Sequence, residues 1–257
     1  MTYDRLTHAF VAGLLTLMAA MAGRAYAVDG VIEINQARAT KGGITPSDTP
    51  GFPITIATGT FANEPMSFRL TGPLFISTTG NVIDIQSPHI TIDLNGFSIS
   101  CLLASCSGIA ISATVATGNV TVFNGTVRGF AEGVSLLGAA SRIENVRAFG
   151  NVIGLRAGSS CTVRNSAAHL NTGDGIVAGG GCLVSGNTAT SNDGDGIQAG
   201  AGSNVTGNTA TGNDLFGLNL TTGVGYSQNV VRDNTGGTVD GGVQAGGNVC
   251  DDSATCP

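Results

Sequence analysis

The chain has 257 residues and a formal net charge of −6, and it contains 40 glycines, six cysteines and no tryptophan. The acidic balance argues against a general nucleic-acid binder, which needs a basic surface, so no nucleic-acid partner is expected. The glycine content and the low share of charged residues, 11%, would suit a disordered polymer, but isoleucine, valine and leucine recur too regularly for disorder.

The segment 1–27 is predicted to be a secretory signal peptide that is not part of the fold. Arg5 lies in a short polar lead, residues 11–21 are almost wholly apolar, and AYA at 25–27 is a small-x-small cleavage pattern. The apolar run is too short to span a bilayer and no later run approaches its length, so no membrane span is expected. Cleavage near Ala27 would give a secreted, periplasmic or cell-surface protein.

Residues 28–73, with GVIEINQARA and a Pro/Gly-rich run to Pro53, are predicted to form an N-terminal cap, since the open end of a stack of coils must be covered. Three later segments alternate apolar and polar residues as strands with one buried face do. They are NVIDI (81–85), HITIDLNGFSI (89–99) and NVTVFNGTV (119–127). Their looser spacing predicts that they form the first coils of the repeat that follows.

From Gly133 onward the sequence follows a 21-residue repeat. In each repeat a glycine is followed by one apolar residue and, two positions later, by another, with an outward residue between them. The glycines are Gly133, Gly154, Gly175, Gly196 and Gly217. A fixed period of this length with strands and no helical phase predicts an all-β, single-domain β-solenoid of roughly eight coils over residues 74–249.

Asparagines form another column with the 21-residue period, at the turns between strands. Asparagine tolerates a left-handed backbone there and can bond to its copy in the next coil. The column consists of Asn171, Asn192, Asn213 and Asn234.

The six cysteines are an even number in a chain predicted to be exported, and they therefore indicate disulfides. In-register residues of adjacent coils lie about 4.8 Å apart, within reach of a disulfide, so Cys161 and Cys182 should pair across coils. Cys101 should pair locally with Cys106, and Cys250 with Cys256. The segment 250–257 is thus predicted to be a C-terminal disulfide loop that closes the other end of the solenoid.

The segments ITIDLNGFSI and NVTVFNGTVRGF and the GI-x-x-G…N-x-x-x-x-N coils resemble the right-handed parallel β-helix repeat proteins of the pectin-lyase-like superfamily. The resemblance covers most of the mature chain and implies a right-handed, single-stranded parallel β-helix. It also implies an exported protein that acts on polysaccharide, or holds it, along the flank of the helix. Function does not follow from such a fold alone.

The catalytic motifs of that superfamily are largely missing. Polygalacturonases carry NTD, DD, GHG and RIK; here NTGDG (171–175) has an inserted glycine, the single DD lies at 251–252, and the other two motifs are absent. Alginate epimerases of this fold carry DPHD, whereas SPHI (87–90) lacks both acids and keeps only His89. These two activities are therefore rejected on motifs, while the degenerate calcium and base pattern of pectate lyases stays open.

Five of the eight arginines after the predicted leader fall in about three consecutive coils, together with Glu132, Glu144 and His169. The arginines are Arg128, Arg142, Arg147, Arg156 and Arg164. Guanidinium groups hold carboxylate or sulfate groups bidentately. The candidate ligand-binding residues are thus Arg142, Arg156, Arg164 and Glu144, and the candidate catalytic residues are Arg128, Arg156 and His169. Alternatively, Glu144 and Arg164, at equivalent positions of adjacent coils, simply form a surface ion pair.

No metal site and no cofactor are predicted. The DGDG at 193–196 invites a calcium site, but no calcium-loop spacing is present and Asp-Gly turns explain the pattern. Calcium is kept as an alternative. Tyr226 is the single tyrosine after the leader and tryptophan is absent, which argues against a neutral-sugar binder with aromatic platforms.

Two functions remain from this sequence. The first is a non-catalytic, exported β-helix scaffold that binds anionic polysaccharide. The alternative is a polysaccharide lyase or epimerase that acts on polyuronate through the arginine-rich coils.

Overall fold

The computed structural model describes residues 30–57 and 66–257; the predicted signal peptide, with its cleavage site at Ala27, lies outside these residues. The described residues contain 24 β-strands and one short helix, α1 (Gln36–Lys41). All pairings between the strands are parallel, and the chain passes through three long sheets in turn, so the fold is the predicted parallel β-solenoid.

Sheet 1 begins each turn of the solenoid. Its strands are β1 (Val31–Ile34), β3 (Met66–Leu70), β6 (Ile90–Asp93), β13 (Thr162–Arg164), β16 (Leu183–Ser185) and β19 (Asn204–Thr206), with parts of β9 (Thr121–Arg128), β11 (Arg142–Phe149), β21 (Phe216–Ser227) and β23 (Gly237–Gln244).

Sheet 2 follows sheet 1 across a corner. Its strands are β4 (Leu74–Ile76), β7 (Ser98–Cys101), β14 (Ala167–His169), β17 (Thr188–Thr190), β20 (Thr209–Thr211), β22 (Val230–Arg232) and β24 (Val249–Cys250), with the second halves of β9 and β11.

Sheet 3 completes each turn. Its strands are β2 (Ile54–Ile56), β5 (Ile83–Ile85), β8 (Cys106–Ala113), β10 (Phe130–Leu136), β12 (Ile153–Ala157), β15 (Ile176–Ala178) and β18 (Ile197–Ala199), with the first parts of β21 and β23.

The register of sheet 3 shows two kinds of coil. In its first three strands, the residues that stand in register are Ile54, Ile83 and Ile111. Each is separated from the next by more than the 21 residues of the repeat, so the early coils are longer than the later ones. After Val134 the register follows the 21-residue period at every step, as predicted. Sheet 3 has nine strands, close to the eight coils expected, and its first strand, β2, comes from the segment predicted as a cap. The strands β1 and β3 of the same segment extend sheet 1.

The core is one cluster of inward-facing apolar side chains from all three sheets, and it runs the length of the solenoid. Leu155, Ile176, Ile197 and Leu218 follow the repeating glycines and are fully buried, as the alternation predicts. The glycines themselves allow close contact between coils. A Cβ on Gly175 would lie 2.7 Å from both the Gly196 oxygen and the Asn192 Nδ2, so a larger residue has no room there.

The predicted asparagine column is a buried hydrogen-bond ladder at the corner between sheets 2 and 3. As far as Asn213, each Nδ2 donates to the Oδ1 of the next coil, at 2.8 Å for Asn171 and 2.9 Å for Asn192. The left-handed residue of the turn is the preceding one, such as Leu170 or Ser191, with φ of 53°, and not the asparagine. A second ladder that was not predicted lies between sheets 1 and 2 and consists of Asn187, Asn208, Asn229 and Asn248.

The two ends of the solenoid are covered. At the N-terminal end the Gln36 side chain of α1 accepts from the Phe75 backbone N–H and donates to its carbonyl, which satisfies the free edge of β4. At the other end the loop after Cys250 turns back, and the Pro257 carbonyl accepts from the Tyr226 hydroxyl at 2.6 Å.

The three predicted disulfides are present. Cys161 and Cys182 join adjacent coils with Cα atoms 4.5 Å apart. The local pairs Cys101–Cys106 and Cys250–Cys256 have Cα separations of 5.9 and 5.3 Å. Among the described residues no helix is both long and apolar enough to cross a membrane.

Candidate functional site

The charged residues of the arginine-rich coils lie on three different outer faces. Arg142, Glu144 and Arg164 face outward from sheet 1, whereas Arg128, Arg147 and His169 belong to sheet 2. Glu132 and Arg156 belong to sheet 3. The three candidate catalytic residues, Arg128, Arg156 and His169, are therefore divided between sheets 2 and 3 and do not converge in one cleft.

On sheet 3, Arg156 is neutralised by a glutamate of the preceding coil. Its Nε lies 3.1 Å from Glu132 Oε1, and the two side chains are 31% and 22% exposed. The contact is an ion pair without the alignment of a hydrogen bond, and Glu132 Oε2 has no hydrogen-bond partner within the described residues. Arg156 is thus engaged before any ligand arrives.

Two aspartates of adjacent coils form the acidic part of the sheet 3 face. Asp174 Oδ1 accepts from the Asp195 backbone N–H, and Gln198 Nε2 donates to both carboxylates at 3.0 and 2.9 Å. Burial raises the pKa of the Asp174 carboxyl above its usual value; the Asp195 N–H opposes this, the Asp195 charge adds to it and Arg156 lowers it. These aspartates support the backbone of the next coil.

Sheet 2 carries an ordered stack of three side chains from three successive coils. The Phe149 and His169 rings are stacked, with centroids 5.2 Å apart and planes 19° apart. The Arg128 guanidinium lies 5.8 Å from the centre of the Phe149 ring, and Arg128 Nε donates to Ser100 Oγ at 3.2 Å. His169, a candidate general base, is therefore half-buried against an aromatic ring and has no carboxylate partner within the described residues.

On sheet 1, two ion pairs link neighbouring coils. Arg164 Nη2 lies 2.8 Å from the Glu144 carboxylate, which confirms the surface pairing expected from their equivalent positions. Arg69 Nε lies 3.3 Å from Asp93 Oδ2. Phe123 stands in register between Asp93 and Glu144 and separates the two pairs.

A pocket of about 340 Å³ opens on this face, between the two ion pairs. Its volume is within the range of about 300–1,000 Å³ that is usual for small-ligand sites. The lining residues are Thr91, Asn119, Thr121, Phe123, Ala140, Arg142 and Glu144. The pocket lies where the longer coils meet the regular ones, beside the turns that contain Asn119 and Ala140.

Arg142 is the positive charge of this pocket. It is exposed, stands between Thr121 and Thr162 in the ladder, and makes no ion pair within residues 30–57 and 66–257. Glu144 also lines the pocket, but Arg164 compensates its charge. The pocket therefore has one free guanidinium, and an anionic group is the ligand that it favours.

A histidine lies at the rim of the pocket, one hydrogen bond away from its lining. His89 has a φ of 61° at the corner that leads into β6, and its Nδ1 is 2.7 Å from Asn119 Nδ2. Because an amide nitrogen donates, Nδ1 is the acceptor and the neutral ring carries its proton on Nε2. His89 thus presents a donor to a ligand.

Metal ligands are not clustered in the part of the chain that the structure describes: no three or more His, Cys, Asp or Glu residues are placed to hold one ion. In the DGDG segment, Asp195 instead accepts hydrogen bonds from the next coil, such as that of the Phe216 N–H.

The comparison of the sequence with protein families decides the classification. The profile described as "Right handed beta helix region" matches residues 84–236, which is more than half of the chain. The protein belongs to this right handed beta helix family.

A solved structure with a similar fold is the A-module of mannuronan C-5 epimerase AlgE4 from Azotobacter vinelandii. The TM-score is 0.59 at 13% identity, over 82% of this chain and 63% of that one. This chain therefore spans less than two thirds of the module, and the likeness shows the fold alone. A comparison with curated proteins gives no match.

Several pocket residues could have been found by extending the repeat toward the N-terminus. Thr121, Phe123 and Asn119 each lie one 21-residue period before a pocket residue of the next coil, namely Arg142, Glu144 and Ala140. The looser spacing of the earlier coils obscured this relation. Thr91, which pairs with Thr121 across a longer coil, gives no such signal in the sequence.

Proposed function

We propose that this protein is a non-catalytic β-helix that binds an anionic polysaccharide, with one acidic sugar unit in the sheet 1 pocket. The observation that carries the proposal is the unpaired Arg142 guanidinium in a pocket where Arg164 already compensates Glu144. The similar fold of a mannuronan C-5 epimerase module is in keeping with a polysaccharide ligand.

The pocket residues match the parts of an acidic sugar. Arg142 would bind the carboxylate bidentately, and charge-assisted bonds of that kind are among the stronger ones available. Thr91, Thr121 and Asn119 offer hydroxyl and amide groups for the sugar hydroxyls, and the half-buried Phe123 ring offers an apolar surface for the C–H groups of the sugar ring.

We also propose that the protein works outside the cytoplasm. Its three disulfides are typical of oxidising compartments, and the polymer that would fit the pocket is an extracellular material. Mass spectrometry of the protein from its native host tests this: a mature N-terminus at residue 28 supports export, and an intact Met1 in the folded protein contradicts it.

Calorimetric titration with short oligogalacturonate and oligomannuronate tests the binding site. In the Arg142→Ala variant, affinity at the pocket should fall about tenfold or more, because a hydrogen bond to a charged group contributes about 1.5–3 kcal/mol. The Lys41→Ala variant is the charge-matched control, since this lysine lies on α1, outside the pocket. Equal binding by wild type and Arg142→Ala, or no binding by wild type, contradicts the proposal.

The second candidate function is polyuronate lyase or epimerase activity, which the position of His89 beside the pocket favours. The chemistry needs a base that removes the proton next to the carboxyl group. With its Nδ1 bonded to Asn119, His89 presents an N–H and not a free lone pair, so binding is the better supported function. Ultraviolet detection of unsaturated product and deuterium uptake from heavy water test lyase and epimerase turnover; either signal, lost in His89→Ala, would replace the binding proposal.

A further inference from the structure

The three outer faces of the solenoid differ in charge. The described strands of sheet 2 contain Arg128, Arg147, Arg232 and His169 and no aspartate or glutamate. Sheet 1 carries two ion pairs and the unpaired Arg142, and sheet 3 with its turns is mainly acidic. On a protein with a net charge of −6, the face of sheet 2 is thus a separate cationic surface.

Arg128 and Arg147 form the centre of this cationic surface. They project from adjacent coils in neighbouring outward rows, because Arg128 pairs with Phe149, two residues after Arg147. With strands about 4.8 Å apart and a two-residue offset of about 6.6 Å, their Cα atoms are about 8 Å apart. Neither arginine has a carboxylate partner in the described parts of the chain. Two like charges this close gain from an anionic group placed between them.

Contacts with the Phe149 ring hold the side chains of Arg128 and His169 in place before a ligand binds. Arg128 is held by the Phe149 ring on one side and by Ser100 through Nε, so its two Nη groups remain free toward solvent. His169 closes the other face of the ring. Because these side chains are already ordered, less conformational entropy is lost when a ligand binds. The ring faces are covered, so charge and not sugar stacking is what the surface offers.

The cationic surface is separate from the sheet 1 pocket although both belong to the same coil. Asn145, with φ of 52°, turns the backbone between Glu144 and Arg147, so the two arginines of β11 face different directions. Beyond His169 the face of sheet 2 continues through Thr190 and Thr211 to Arg232, three coils or about 14 Å further along the axis. A linear polymer lying along this face does not reach the pocket.

We propose that the protein cross-links anionic polysaccharide chains, with one chain held in the sheet 1 pocket and a second on the Arg128–Arg147 surface of sheet 2. This inference rests on the proposed function of the pocket. It adds a second site for the same chemistry, the carboxylate groups of a polyuronate, and it gives the protein a structural role in a polysaccharide matrix.

Cross-linking is tested by light scattering of long polygalacturonate at about 0.01 M salt, where charge interactions are least screened. Wild-type protein should raise the scattering to a maximum at intermediate protein-to-polymer ratios and lower it again in excess protein. Arg142→Ala and the double variant Arg128→Ala/Arg147→Ala should each bind polymer and yet leave the scattering at the level of polymer alone. All three substitutions remove exposed side chains, and circular dichroism verifies folding.

Calorimetry with short oligogalacturonate separates the two sites. Wild type should bind two oligomers per chain, and each of the two variants should bind one. If the double variant keeps two sites or still raises the scattering, the sheet 2 inference is wrong while the pocket stands. If Arg142→Ala keeps two sites, the proposed function of the pocket is wrong. If wild type binds one oligomer and that one is lost in the double variant, sheet 2 is a single binding site and no cross-linking occurs.

Discussion

The coils before residue 130 and those after residue 150 share three sheets but fill their corners in different ways. In the later coils the inner corner positions are asparagines such as Asn171, Asn192 and Asn208, fully or almost fully buried and bonded from coil to coil. Further toward the N-terminus the corners hold apolar side chains: Leu94 in an earlier coil, and Phe130, whose N–H donates to Asn151 of the next coil. In sheet 3 the later coils keep the 21-residue period, whereas the first coils are longer between in-register positions.

The regular coils are held together by coil-to-coil hydrogen bonds, whereas the pocket forms where the longer coils meet them. In the asparagine ladders each side chain bonds to the asparagine one turn further on, so the corner positions of successive coils must stay in register. The longer coils have no such requirement, and their turns can be shaped individually. The pocket lies at the boundary, with Thr91 and Asn119 on one side and Arg142 on the first regular strand.

The largest expected effect is on the asparagine ladder. Asn192→Ala removes the acceptor of the Asn171 N–H and the donor to the Ala168 carbonyl, both in the interior. Buried groups without a partner cost about 1–3 kcal/mol each, so the free energy of unfolding should fall by about 3 kcal/mol. Guanidinium denaturation measures this, with Thr190→Ala on the outer face of the same coil as control. A loss below about 1 kcal/mol would mean that the ladder contributes little to the regular coils.

A smaller effect is expected at the repeating glycines. In Gly175→Ala the new Cβ would meet the backbone oxygen of Gly196 and the Asn192 amide, both at 2.7 Å, and overpacking of this kind costs about 1–3 kcal/mol. Gly225→Ala is the matched control in the same half of the solenoid, because nothing lies within 4 Å of its Cβ position. Equal unfolding midpoints for the two variants would show that the regular coils tolerate expansion and that the close-packing argument is wrong.

The smallest effect concerns Asp174, on the outer face of the regular coils. Burial raises the pKa of its carboxyl above the ordinary value of 3.8, so the folded state favours the protonated form. The stability that Asp174 contributes is therefore present below pH 3.8 and is lost as the pH rises through the raised pKa. Relative to wild type, Asp174→Asn should become more stable as the pH rises from acid toward neutral. Urea denaturation across this pH interval measures it, and a difference that does not change with pH contradicts the assignment.

Much of the regular half followed from the sequence. The period placed Gly154, Leu155 and Ala157 in a strand with one buried face, and it put Cys161 one coil from Cys182. These predictions succeeded because the register of a solenoid is the repeat length itself. The second ladder, which begins at Asn187, was missed although Asn187, Asn208 and Asn229 share the same spacing, since spacing alone does not say whether a polar residue points inward.

The sequence by itself determined the β-solenoid, its 21-residue coils and its three disulfides, because each of these depends only on distances along the chain. Only the tertiary structure decided which charged residues share a face. Arg142 and Arg147 belong to one strand, yet the left-handed Asn145 between them directs one to the pocket and the other to sheet 2. Residues one full coil apart become neighbours instead, which is why Arg142 has Thr121 beside it. The position of each corner therefore fixes where the chemistry of this protein can occur.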